Sequence, residues 1–289
     1  MSFICLNGRT HKEDENCLDV SNRAFRYGDS FFESIRLVGG VPIFLKQHNQ
    51  RIERTFKFLG FKKPAEFSIQ KLGGMIRDLA IKNHITEGGK ARLIIWRKAG
   101  GLYGPTSNEV EFLVECHALD HNEFVLNQKG LTIGVFNELR INPAPLSHHK
   151  TTNCLPYVLA SRWAKANRFD DVLMLDSEGY LAEGSSANLF VYTNGKLVTP
   201  DLENGGLKGT MRNTIIELVR QSNLELVEAK LRLEDLESAE EIFLTNASSG
   251  IRWVGAYGKK RYYKRVSEQM LQVLNEQALI SSGLGLQES

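Results

Sequence analysis

Short apolar segments of strand length recur along this chain, and tight glycine turns join them as often as helical stretches do. Residues 31–38 read as a strand, Gly39-Gly40 closes it, and residues 41–44 read as the return strand of a hairpin. Residues 189–192 and 196–198 flank Asn194-Gly195, a second hairpin signal. Further strands are predicted at 3–7, 91–96, 111–116, 131–136, 172–175, 224–231 and 242–245. Leu45, Asn49, Ile52, Phe56 and Leu59 recur at helical spacing until Gly60, and a second helix is predicted over 69–82. Leu155, Val158, Leu159 and Trp163 mark a helix that tolerates Pro156 in its first turn. Met211, Ile215, Leu218 and Val219 mark another after Gly209, and a last helix is expected near 266–279 before a frayed tail at 281–289. A doubly wound parallel sheet needs a helical crossover between successive strands, and that rhythm is missing. The expected class is α+β in two domains, residues 1–120 and 121–289, divided at the polar stretch 119–130.

Composition narrows the function classes. The 289 residues carry 36 Lys plus Arg against 34 Asp plus Glu, a formal charge of +2, which supports no broad nucleic-acid footprint. With 42% hydrophobic residues the chain has ample apolar surface to fold. No apolar run approaches the roughly 20 residues of a membrane helix. The first residues lack a basic stretch leading into a long apolar run, so no secretory signal is read and a cytoplasmic location is expected. Cys5, Cys17, Cys116 and Cys154 form no Cys-x-x-Cys pair and suit a reducing compartment.

Common nucleotide and hydrolase signatures are absent. There is no phosphate loop and no Gly-x-Gly-x-x-Gly after a strand. Glu183-Gly184-Ser185-Ser186-Ala187 comes nearest to a nucleophile elbow but lacks its last glycine. Adjacent His148 and His149 point apart on an extended loop, so no metal site is expected; His11, His48, His84, His117 and His121 are isolated.

Three pieces of the second half remain. Lys150 heads Lys150-Thr151-Thr152-Asn153 after a Pro-rich loop; Glu183 opens a Gly/Ser turn that enters a strand; Gly209-Thr210-Met211-Arg212 is a glycine turn entering a helix. Each alone has an ordinary explanation as a solvated charge, a turn residue or a cap. In this order and spacing they resemble the fold-type IV (class IV) pyridoxal-phosphate enzymes, which include branched-chain and D-amino-acid aminotransferases and aminodeoxychorismate lyases. The resemblance extends from Asn7-Gly8 to about Tyr257. The first half adds Ala24 to Arg36, similar to the family's aromatic-Gly segment and its Phe-Glu-Gly-Ile-Arg, and His48-Asn49-Gln50-Arg51-Ile52, similar to its His-x-x-Arg-Leu helix.

The resemblance implies a smaller N-terminal α/β domain, a larger barrel-like C-terminal domain, pyridoxal 5'-phosphate as cofactor, and a homodimer. It makes Lys150 the Schiff-base lysine, which must be neutral part of the time to attack an aldehyde and later carry a proton. It sets Glu183 opposite the pyridine nitrogen, where a negative charge keeps the ring an electron sink. Arg51, the backbone N–H groups of Thr210 and Met211, and the Ser248 hydroxyl become ligands of the phosphate. Tyr27, Phe32, Arg36 and Arg97 are substrate-side residues, an arginine being suited to a carboxylate.

Two reactions fit this set: amino transfer between a small α-amino acid and a 2-oxo acid, or elimination of pyruvate from aminodeoxychorismate to give 4-aminobenzoate. A catalytically silent pyridoxal-phosphate-binding protein is a third reading. Branched-chain aminotransferases place after their lysine a Tyr that bonds the ring oxygen, where this chain has Leu155, and have Gly-Ile-Thr-Arg in the phosphate turn. Met211, Pro145-Leu146-Ser147 and Arg97-Lys98-Ala99-Gly100-Gly101 look lyase-like, whereas Leu102 stands where lyases often have Arg.

Overall fold

The structure is a computed structural model that describes residues 2–15, 17–64 and 67–284. The chain forms two compact units. The first takes the residues up to Glu123, Lys150–Asn153 and the chain from Gln277 onward; the second takes Phe124–His149 and Cys154–Glu276.

The first unit is built on β1 (Phe3–Leu6), β2 (Arg9–Lys12), α1 (Arg23–Tyr27), β3 (Ser30–Val38), β4 (Val41–Pro42), α2 (Leu45–Leu59), α3 (Ile69–Lys82), β5 (Gly89–Arg97) and β6 (Val110–Ala118). Its sheet runs β2-β1-β6-β5-β3-β4, with every pair antiparallel. Alternation along β3 decides which side chains enter the core: Phe31, Glu33, Ile35 and Leu37 are at most 1% exposed. Phe31, Ile35 and Leu37 pack with Ile52 and Phe56 of α2 and with Leu72, Ile76 and Leu79 of α3. Gly39 and Gly40 take the left-handed conformation that the hairpin requires. The return strand is shorter than the expected 41–44, because Phe44 also turns left-handed (φ 54°) and starts α2. The five-residue α1 has no periodic signature; its Asn22 cap, which accepts from the N–H groups of Ala24 and Phe25, holds it.

The edge of β3 that β4 leaves uncovered is occupied by residues 150–152. Phe32 N donates to Lys150 O (2.9 Å), Thr152 N donates to Ser30 O (3.1 Å), and Phe31 bridges Thr151 antiparallel. This short pairing is why residues 150–153 belong to the first unit although their neighbours in sequence do not.

The second unit contains β7 (Leu131–Ile141), α4 (Leu155–Ala166), β8 (Asp171–Asp176), β9 (Leu181–Gly184), β10 (Asn188–Thr193), β11 (Lys196–Pro200), α5 (Thr210–Arg220), β12 (Glu225–Ala229), α6 (Leu233–Ser238), β13 (Glu241–Asn246), β14 (Gly250–Tyr257) and β15 (Lys260–Arg261). Their sheet runs β12-β11-β10-β13-β14-β7-β8-β9, with β15 beside β14. The β7–β8, β7–β14 and β11–β12 pairs are parallel; the others are antiparallel. The last strand of that order, β9, returns to the interior strand β10 through a tight turn in which Gly184 N donates to Ala187 O (2.7 Å). The strands from β10 round to β9 must therefore curl, which gives this unit its barrel-like wall. Leu131, Leu173, Leu181, Leu189, Leu244 and Val254 share one buried cluster.

The last helix, α7 (Arg265–Ser282), is longer than the periodic signal. Its Ser281 and Ser282 are helical, not frayed, and residues 285–289 lie outside the described residues. The helix predicted from Leu155 turns inward only part of the expected face, Leu159 and Trp163. Leu155 (65%) and Val158 (53%) are exposed, while Ala160 and Ala164 are buried and Tyr157, Leu159 and Trp163 pack at the cluster's edge. Among the described residues, no helix is long and apolar enough to cross a membrane.

Candidate active site

In the second unit the site residues gather around Glu183. It lies near the end of β9, opposite Met174 of β8, and is 4% exposed. A carboxylate buried this far needs partners. The Tyr157 hydroxyl (2.8 Å) and Leu207 N (3.0 Å) donate to Oε1, and Asn188 Nδ2 (3.1 Å) donates to Oε2. Three donors on one carboxylate suit a negative charge there. Asn188 also donates to Leu207 O (2.8 Å), which ties the strand β10 to the loop before α5. A Cβ on Gly209 would stand 2.0 Å from Asn188 Oδ1, so only glycine allows this approach. Helix α5 starts immediately after it, without a side-chain cap, and its first residues Thr210 and Met211 are buried. The Gly/Ser turn is pinned separately: Asp171 Oδ1 accepts from Ser185 Oγ (2.7 Å), Ser185 N (3.0 Å) and Val172 N (2.8 Å). Half-buried Ser248 lies in a turn where its N–H donates to Asn246 Oδ1 (3.1 Å). Nearby, Thr245 Oγ1 is buried without a hydrogen-bond partner.

In the first unit Lys150 is held by its backbone to β3, and its Nζ lies 4.5 Å from the centre of the Phe32 ring. Arg92 approaches the same ring, with Cζ at 4.2 Å. Two cationic side chains therefore stand over the Phe32 ring, where its charge distribution favours them. Arg51 is buried on α2. Its Nε (2.7 Å) and Nη2 (2.6 Å) donate to the two oxygens of Glu33, and His48 Nδ1 lies 2.6 Å from Glu33 Oε2. Burial pushes the Glu33 carboxyl up, but Arg51 and His48 overcome it and hold the group down at about 2. One turn on, Arg54 Nη2 is buried without a hydrogen-bond partner. Burial, then the positive charge of Arg51, lower the Arg54 guanidinium below its usual range.

Two expected substrate arginines are engaged otherwise. Arg36 Nη2 donates to the carbonyls of Asn122 (3.2 Å) and Glu123 (2.8 Å) and contacts that of His121, which fastens the end of β3 to the chain after β6. Arg97 Nε donates to Asp29 (2.9 Å), its Nη2 to Leu59 O (2.8 Å), and its Nη1 to Asn108. The Arg97 guanidinium is occupied on all three nitrogens, by Asp29, Asn108 and Leu59 O, whereas the bonds of Arg36 run from Nη2 to backbone carbonyls. Tyr27 is half-buried against Tyr103 (5.8 Å between rings) and beneath Arg23. Sequence reasoning missed Tyr157, Arg92 and the Glu33 cluster. Glu33 carried a visible signal, a carboxylate in phase with Phe31 and Ile35 on a strand whose other face alternates.

The sequence profile of the family described as Amino-transferase class IV matches residues 30–257. The chain is 28% identical over 260 residues to the branched-chain-amino-acid aminotransferase of Escherichia coli, covering 86% of this chain and 82% of that protein. It is 29% identical over 252 residues to the aminodeoxychorismate lyase of Bacillus subtilis, covering 85% and 83%. The crystal structure of the Escherichia coli branched-chain amino acid aminotransferase superposes with a TM-score of 0.83 at 26% identity, over 94% of this chain and 93% of that one. The fold is that of a two-part α+β enzyme. The chain belongs to the class IV aminotransferase family.

Proposed function

We propose that this chain is a pyridoxal-phosphate-dependent aminotransferase that moves an amino group between a small α-amino acid and a 2-oxo acid. The observation that carries this reading is the buried Glu183 carboxylate with its three donors, in a chain of this family. Each unit carries groups that fit the cofactor: in the second, a carboxylate suited to a protonated ring nitrogen and an uncapped α5 N-terminus; in the first, an orphaned Arg54 N–H beside Arg51, suited to a phosphate. When bound, pyridoxal phosphate supplies an aldehyde for the amino group and a ring that accepts an electron pair.

Lys150 is the amine that would hold the cofactor and move a proton at the substrate α-carbon. Glu183 would keep a proton on the ring nitrogen. Arg51 in the first unit, its fork oriented by Glu33 and His48, would be a phosphate ligand, as would the Thr210 and Met211 N–H groups and Ser248 in the second. Phe32 and Tyr27 line the substrate side. Arg92, which stands over the Phe32 ring, joins Arg36 as a candidate for the substrate carboxylate, and Arg97 is the one with every guanidinium nitrogen already bonded. The two compact units are the two domains of such an enzyme.

The lyase reading is favoured by one pair of observations: Met211 in the first turn of α5, and an exposed Leu155 where a ring-oxygen tyrosine is expected. The assay that decides supplies holoenzyme with amino acid alone or with aminodeoxychorismate alone. An amino acid is expected to convert the cofactor to its pyridoxamine form. Sustained pyruvate release from aminodeoxychorismate, with no oxo acid present, would make the enzyme the lyase instead.

The homodimer has its own support. Val20 (77%), Phe25 (83%), Leu102 (75%) and Tyr103 (91%) are exposed around α1, where Arg26 binds Val20 O and Arg23 binds Leu102 O. A second copy covers this apolar patch. Light scattering should give twice the chain mass, and Phe25→Glu with Tyr103→Glu should give the monomer. A wild-type monomer at micromolar concentration would exclude the pairing. The site is cytoplasmic, in keeping with four free cysteines, of which Cys116 is pushed by burial up to about 12 and is unreactive.

A further inference from the structure

Tyr157 lies in the first turn of α4, its ring at the edge of a cluster formed by Phe136, Ala160, Val172, Met174 and Ala182. Its hydroxyl is 2.8 Å from Glu183 Oε1. Burial, then the negative charge of Glu183, raise the phenol above its ordinary range, so it stays protonated and donates. Beside it on that carboxylate, Leu207 N belongs to the backbone, and Asn188 also serves Leu207 O. The Tyr157 donor, unlike these two, can be removed without disturbing the backbone or a second bond. The side chain at 155 is an exposed leucine, so the phenol that follows Lys150 in this chain serves the carboxylate.

We propose that Tyr157 is a positioning residue that fixes the orientation and negative charge of Glu183, and through it keeps a proton on the cofactor's ring nitrogen. This rests on the role given to Glu183 above. A hydrogen bond to a charged group favours the charged form. Removing it makes Glu183 more basic, and the proton shared between carboxylate and ring nitrogen moves toward the carboxylate. The ring is then a poorer electron sink, while substrate contacts are untouched. The loss should therefore fall on kcat, by about tenfold to a hundredfold, with KM for the amino acid little changed.

The test is 15N NMR of holoenzyme reconstituted with ring-15N pyridoxal phosphate, in wild type, Tyr157→Phe and Tyr262→Phe. Tyr262 is a buried phenol that donates to Leu236 O (2.8 Å) in the same unit and serves as the structural control. Wild type and Tyr262→Phe should give the protonated-ring resonance. Tyr157→Phe should move it downfield toward the neutral ring, and 3-fluorotyrosine at 157, which keeps the donor, should restore it. A wild-type resonance in a folded Tyr157→Phe holoenzyme overturns the proposal and leaves the reading of Glu183 standing. If wild type takes up no cofactor, both fall. Should Tyr157→Phe not fold, the 19F signal of 3-fluorotyrosine at 157 decides: it must change on cofactor loading and again in Glu183→Gln. A signal indifferent to both overturns the proposal.

Discussion

Lys150→Ala should abolish covalent capture of the cofactor and lower turnover by about 10⁴-fold or more. Proton transfer by a positioned side chain contributes about 10²–10⁴-fold, and this lysine is also the group that holds the cofactor. The fold should be nearly indifferent. What fixes the segment is its backbone, through Lys150 O to Phe32 N and Thr152 N to Ser30 O, together with Thr152 Oγ1 against Ser30 Oγ (2.6 Å). Alanine keeps all of these, and the contact of Nζ over the Phe32 ring that it gives up is worth about 0.5–1 kcal/mol at an accessible site. Borohydride reduction and peptide mapping should locate the cofactor on the Lys150 peptide in wild type and on no peptide in the variant. Cofactor still bound covalently in Lys150→Ala would remove this residue from the mechanism.

How much of this was legible in the sequence depended on the range of the interaction. The β3 alternation and the α2 stripe are local, and both were readable. The Asn-Gly and Gly-Gly turns were readable for the same reason. The pairing of Phe31 with Thr151 spans most of one unit's sequence, and no periodicity announces it. Arginines were the least legible. Arg36, Arg92 and Arg97 alternate along the same pair of strands, and composition does not say which guanidinium meets carbonyls and which meets an open ring face. Tyr157 was hidden because the apolar stripe drawn through Leu155 and Val158 put only part of the right face of α4 inward. Polar-tipped aromatics do not announce whether their hydroxyl has a partner. Glu183 was found through its motif, but its donors come from Asn188, Leu207 and Tyr157, which only the curled sheet and α4 bring together.

Glu33→Ala should destabilise the first unit by about 3–5 kcal/mol at neutral pH, because it leaves Arg51 buried without its counter-charge and His48 without its hydrogen-bond partner. The wild-type protein should in turn lose stability in acid through this one group. Glu33 titrates at about 2 in the folded chain against an ordinary 4.5. A folded value below the unfolded one means that the unfolded chain binds the proton first. The stabilisation is therefore complete above about pH 4.5 and fades as pH falls toward 2. At 1.36 kcal/mol per tenfold, that gap corresponds to about 3 kcal/mol. Denaturant or thermal unfolding of wild type and Glu33→Gln at several pH values between 7 and 2 should show the two curves converging in acid. A double substitution, Glu33→Leu with Arg51→Leu, should cost less than the two single changes added together, since each single change strands the other's charge. Parallel curves, or a Glu33→Ala protein within about 0.5 kcal/mol of wild type at neutral pH, would mean that Arg51 is held in place by something other than this carboxylate. The phosphate role of Arg51 would then lose the support that orients it.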